Sequence, residues 1–182
     1  MKILLSVCFC FLFSISPALA QSQPTEVNRI KQLTTLIQNN LSKYDTATID
    51  LWESTEGGEA IGYYNAGKLL CIAAVYYGEM GKTTTAYYFE NGKLIQAIQT
   101  DESYNRPIYY DKQRAAESND KETFDPSKSK TETTSYYFLN EKLILLLDKN
   151  NKEVTDAIAS NSVAGADVVE DAHRLQQQIA KK

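Results

Sequence analysis

Glu53, Glu56 and Glu59 bracket Gly57-Gly58, a spacing at which carboxylates could meet across a turn. Such a group could hold a hard cation such as calcium or work as a general acid and base pair. The spacing matches no calcium-binding loop, however, and a solvated hairpin tip accounts for the same residues. Other reactive groups are few. His173 is the single histidine, and of three cysteines only Cys71 lies beyond the first twenty residues. That inventory supplies no zinc or copper ligand set, and no metal or other cofactor is expected. A His-dependent nucleophile would have to be built on one residue in a polar tail. Neither a phosphate-cradling glycine loop nor a GxSxG elbow occurs. A small enzyme using carboxylates and tyrosines remains an alternative without a nucleophile or base to name.

The aromatic residues are more distinctive. Of twelve tyrosines, all but Tyr44 and Tyr104 stand in doublets: Tyr63-Tyr64, Tyr76-Tyr77, Tyr87-Tyr88, Tyr109-Tyr110 and Tyr136-Tyr137. In an extended strand successive side chains point to opposite faces, so each doublet presents one ring to each side of a sheet. The second members Tyr64, Tyr88, Tyr110 and Tyr137, together with Trp52, are the candidate binding residues. They could stack on sugar rings or receive a protein partner.

The elements that would position these rings are strands. Residues 86–95, AYYFENGKLI, return at residues 135–144 as SYYFLNEKLI. Asn91-Gly92 is the two-residue type I′ turn signal. Asn140-Glu141 is a poorer version, because Glu resists positive φ. Asn65-Ala66-Gly67 reads as a three-residue loop and Gly78-Glu79-Met80-Gly81 as a four-residue loop. A hairpin closed at Asn91-Gly92 places Glu90 opposite Lys93, Tyr88 opposite Ile95 and Ala86 opposite Ala97. Tyr87, Phe89, Leu94 and Ile98 then share the other face. That set is the more apolar and is assigned to the core, and the Tyr88 face is expected to be the more accessible one.

Before the strands, Val27, Ile30, Leu33, Leu36, Ile37, Leu41 and Tyr44 recur at helical spacing across Pro24 to Tyr44. Thr46 to Glu53 is short and rich in β-branched residues. After the strands, Val168, Ala172, Leu175 and Ile179 form one stripe of a C-terminal helix with Asp167 as its cap. Residues 111–130, DKQRAAESNDKETFDPSKSK, break the pattern and are expected as a charged, mobile loop. The fold class is α+β: an N-terminal amphipathic helix packed on a twisted antiparallel meander of about six to eight strands, with a C-terminal helix.

Compartment and charge bound the function. Lys2, the apolar run from Ile3 to Ile15 and Ala18-Leu19-Ala20 form a secretory signal, so residues 1–20 are set aside and the mature chain starts at Gln21. The run is too short to span a bilayer, which takes roughly 20 apolar residues. Residues 21–182 form one domain. Loss of Lys2 takes the 19 basic residues to 18 against 23 acidic ones. That balance argues against nucleic acid, whose binding needs clustered Lys and Arg. Cys71, in the apolar stretch Leu69 to Val75, reads as a small buried hydrophobe.

Two resemblances carry further expectations. The aromatic pair ahead of an Asn-Gly turn resembles the short repeats of bacterial cell-wall-binding modules, which implies choline or glycan binding. Those repeats also carry Gly-Trp dipeptides that are absent here. STEGGE (54–59), YYGEMGK (76–82), YNRPIYY (104–110), FDPSKSK (124–130) and the two hairpins are similar, in this order, to segments of a set of uncharacterised secreted bacterial proteins. That resemblance spans residues 50–149 and implies a bacterial, exported, single-domain protein with no activity attached. The expected function is a non-catalytic module of the envelope or the secreted fraction that binds a protein or small ligand.

Overall fold

The computed structural model describes residues 22–156 and 163–181. The expected leader, residues 1–20, lies outside them. Seven strands form one open antiparallel sheet whose spatial order is the chain order: β1 (Asp45–Leu51), β2 (Gly58–Asn65), β3 (Lys68–Gly78), β4 (Gly81–Glu90), β5 (Lys93–Ser103), β6 (Lys130–Leu139) and β7 (Lys142–Leu147). Helix α1 (Ser22–Gln38) precedes the sheet, α2 (Lys112–Glu117) lies between β5 and β6, and α3 (Val163–Ile179) follows it. The expected meander and C-terminal helix are both present. Because α3 begins at Val163, Asp167 lies inside the helix rather than capping it. No helix among the described residues is long and apolar enough to cross a membrane.

Strand alternation splits the apolar residues between two faces. Ile72, Tyr87, Phe89, Leu94, Ala97, Tyr136 and Phe138 are buried with Ala172, Leu175 and Ile179 of α3. On the other face Cys71, Tyr88, Ile95 and Tyr137 are buried with Val27, Ile30 and Ile37, which with buried Thr34 recur every three or four residues along α1. Tyr88 is therefore 3% exposed, as is Tyr87, and the expectation that the Tyr88 face would be accessible is corrected. A sheet that is apolar on both sides must be covered on both.

The predicted hairpin register holds only for the two rungs beside the turn. Glu90 faces Lys93 and Phe89 faces Leu94, but Tyr88 then faces Gln96 and Tyr87 faces Ala97. Ile95 is an extra residue, a β-bulge, which bends the strand and increases its twist. It moves Ile98 to the Tyr88 face and puts Ala97 on the Tyr87 face, the reverse of the expected assignment. The same shift recurs between Tyr63 and Tyr64 in β2 and between Tyr137 and Phe138 in β6. Three bulged hairpins thus stand side by side. The first closes on Asn65 paired with Lys68, so its loop is Ala66-Gly67 rather than three residues. Gly78 pairs with Gly81, leaving Glu79-Met80 as a two-residue loop at the far end of the sheet.

Gly62 stands in the first hairpin where Tyr87 and Tyr136 stand in the others. A Cβ there would lie 2.9 Å from Ile179 Cγ2 and 3.1 Å from the Tyr64 ring. The missing side chain is what lets the C-terminal end of α3 settle on β2.

The charged stretch 111–130, expected as a mobile loop, carries α2 with Asp111 as its cap, and a 3₁₀ turn at Pro126–Lys128 capped by Asp125. Asn105 donates to the Thr123 carbonyl and accepts from the Asp125 amide, Arg106 meets Asp120 at 2.8 Å, and Tyr104 packs edge-on against Phe124. The Arg106 guanidinium and nearby backbone amides hold the Asp120 carboxyl down at about 2.

Candidate functional site

The three hairpins are joined by two seams, β3 to β4 and β5 to β6, and neither seam is zipped to its end. Pairing of β3 with β4 starts at Cys71 and Tyr88, and pairing of β5 with β6 starts at Gln96 and Tyr137. Between those rungs and the turns, the strands of adjacent hairpins part. The cause is the repeated bulge, which bends each hairpin tip out of the plane of the sheet. Two wedge-shaped gaps result, equivalent in sequence position and unlike in content.

The first gap is a cleft of about 540 Å³. Its walls are Leu33, Leu36 and Ile37 of α1, Tyr44, Leu69 and Leu70 of β3 and Phe89 of β4, with Asn65, Lys68, Glu90, Asn91, Gly92 and Gln176 around the mouth. Leu36 is 60% exposed at this edge. Gly92, at φ 79°, completes the turn with Asn91 at φ 52°. A Cβ on Gly92 would meet nothing within 4 Å. Gly92 itself places no side chain in the space beside the turn.

The second gap is narrowed to about 210 Å³. The residue equivalent to Gly92 is Glu141, which holds φ at 62°, a value Glu adopts at a cost. Its Oε1 accepts from the Leu94 backbone N–H at 3.4 Å and lies 2.8 Å from His173 Nε2 on α3. Lys93 donates to Asn140 Oδ1 at 3.3 Å across the same gap. On the α1 side Arg29 forks onto both Glu90 oxygens at 2.8 and 2.9 Å and also pairs with Glu26. Those bonds raise the Arg29 pKa well above its ordinary value and lower that of Glu26.

A second polar cluster ties α3 to the sheet. Arg174 meets Glu53 at 2.7 Å, donates to the Tyr76 hydroxyl at 2.8 Å and pairs with Asp171, which also accepts from the Tyr87 hydroxyl. Burial, then the Asp171 hydrogen bond, pushes the Tyr87 hydroxyl up, so it stays neutral and donates. Every charge here faces an opposite one, and the cluster acts as a lock on the helix. Glu53 is thereby committed, and the described residues contain no group of three acidic, Cys or His side chains able to hold a metal.

The sequence-predicted binding residues do not converge. Tyr88 and Tyr137 lie together, buried against α1, and Tyr64 packs partly buried against the α3 face. Tyr110 is half-buried in the excursion between β5 and β6, and Trp52, just beyond β1, is 83% exposed. What sequence reasoning missed is the cleft itself. The available signal was the contrast between Asn91-Gly92 and Asn140-Glu141 in an otherwise shared motif. No family model, curated protein or solved structure matches this chain.

Proposed function

We propose that the chain is a non-catalytic binding module, exported from a bacterial cell, that holds the apolar part of a small amphiphilic molecule in the first-seam cleft. The observation that carries this reading is the 540 Å³ apolar cleft, open where the repeated hairpin is plugged by Glu141 one seam away. Its volume falls in the range of small-molecule sites, roughly 300–1,000 Å³, and its walls are the aliphatic Leu33, Leu36, Ile37, Leu69 and Leu70 with the rings of Tyr44 and Phe89, the polar groups standing at the mouth. Exposed Leu36 extends the apolar wall to the surface, where it can close over a bound chain. Export rests on the Lys2, apolar run and Ala18-Leu19-Ala20 pattern.

The test is uptake of N-phenylnaphthylamine, whose fluorescence rises in apolar surroundings. The mature chain should bind it saturably, and Leu36→Asp should weaken binding while leaving the urea midpoint near wild type. Absence of saturable uptake, or uptake unaffected by Leu36→Asp, sinks the reading. Mass spectrometry of exported material should find a chain starting at Gln21, and recovery of an intact Met1 chain would refute export with cleavage.

A further inference from the structure

We infer that the cleft selects amphiphiles with an anionic head, and that Lys68 is the cation that receives it. The inference rests on the cleft being the binding site proposed above. Only two of its lining side chains carry charge, Lys68 and Glu90. Glu90 is engaged, both of its oxygens being held by the fork of Arg29, which it shares with Glu26. Lys68 has no ion-pair or side-chain hydrogen-bond partner among the described residues. Its equivalent in the second hairpin, Lys93, is instead turned across its seam to Asn140. The mouth of the first cleft therefore presents one uncommitted positive charge beside the neutral amides of Asn65, Asn91 and Gln176, above an apolar floor. A carboxylate head with an alkyl tail satisfies both halves. A cationic head meets Lys68 with repulsion, and a neutral head gains only hydrogen bonds from the amides.

The experiment compares decanoate with decanol as competitors of bound N-phenylnaphthylamine, at concentrations below self-association and at low salt. The wild-type chain should prefer decanoate by roughly fivefold, the upper end for an exposed ion pair, and added salt should erode the preference. Lys68→Gln should abolish it, and Lys68→Glu should invert it, with both variants still taking up the probe. Lys142→Gln serves as the control: it alters the equivalent lysine of the third hairpin, where β7 is the last strand and no seam follows. Equal displacement by the two competitors in wild type, or a preference that survives Lys68→Gln, overturns the anionic selectivity while leaving the cleft as a site. Failure of the wild type to take up any probe overturns both. Preference lost in Lys142→Gln as well assigns it to general surface charge and also overturns the role of Lys68.

Discussion

The two seams have the same construction and opposite outcomes. Each joins bulged hairpins of nearly the same sequence, and each parts before its turns. One is stitched by Glu141, His173 and the Leu94 amide, and the other is left as a cleft because Gly92 offers no side chain. The relaxed turn, Asn-Gly, borders the empty gap, and the strained turn, Asn-Glu, borders the filled one. A residue that disfavours positive φ is kept where its side chain makes two contacts. Strain of this kind persists only where the surroundings over-determine it. In the first seam the sequence takes the cheaper turn and leaves a hole of ligand size.

The innermost rung of the open seam offers the largest contrast. Cys71 pairs with Tyr88 where the cleft ends, and burial pushes its thiol from 9.0 up to about 12. Only the thiolate reacts with a disulfide reagent, so at pH 8 the folded chain should label roughly a thousandfold more slowly than the unfolded one. The thiol favours the folded state in its protonated form. This contribution to stability is full below pH 9 and fades as the pH rises toward 12. Native labelling within a few-fold of the unfolded rate would show that the seam opens past Cys71 and that the cleft is deeper than its resting form.

The aromatic floor residues come next. Phe89 beside the open cleft and Phe138 beside the filled gap are both 1% exposed. Phe138→Ala should cost about 4 kcal/mol, since a closed cavity remains behind. Phe89→Ala should cost about 1 kcal/mol less, because its vacated space joins a cleft that solvent or a ligand already enters. Urea melts of the two variants decide it, and equal or reversed costs would break the distinction between the seams.

Exchange of the two turn residues tests the cause directly. Gly92→Glu puts an L-residue at positive φ and should destabilise by about 1 kcal/mol or somewhat more, while abolishing probe uptake as the new carboxylate enters the cleft. Glu141→Gly releases the same strain but forfeits the contacts to His173 and Leu94, so its stability should change by less than about 1 kcal/mol. It should add a second, weaker probe site. If Gly92→Glu leaves uptake intact, the turn does not control the cleft.

The sequence was legible wherever a signal is local. Asn91-Gly92 marked a turn, the stripe Val168, Ala172, Leu175 and Ile179 marked α3, and strand propensity gave the meander. The bulge was not legible, because a two-residue turn dictates only the rungs beside it. Ile95 and Gln96 could equally have alternated in a regular ladder, and the choice is made by what α1 buries. The accessible face assigned to Tyr88 was wrong for the same reason: nothing in residues 86–98 says that a helix some fifty residues earlier covers them. Nor does the doublet Tyr63-Tyr64 announce that it sits one position out of step with Tyr87-Tyr88. That offset follows from Gly62 making room for Ile179, a contact between residues more than a hundred positions apart. The cleft is harder still, since a gap is defined by what surrounding elements fail to fill.

The smallest expected effect concerns the third member of the turn set. Ala66 holds φ at 48° and Gly67 at 73°, nearly the values of Asn91 and Gly92, yet alanine gains nothing from that conformation. Asn tolerates the left-handed region because its side chain can bond to nearby backbone, whereas Ala only suffers the clash of its Cβ. Ala66→Asn should therefore stabilise the chain by about 0.5 kcal/mol, read as a higher urea midpoint with an unchanged slope. Because Ala66 lies outside the cleft lining, probe uptake should stay at the wild-type level. A stabilised variant with weaker uptake would mean that the first turn must flex for a ligand to enter, and the open seam would then be a gated one. An unchanged midpoint would mean that Ala66 is relaxed at its positive φ. In that case the strain assigned to Glu141, and with it the reason offered for the filled seam, would lose its footing.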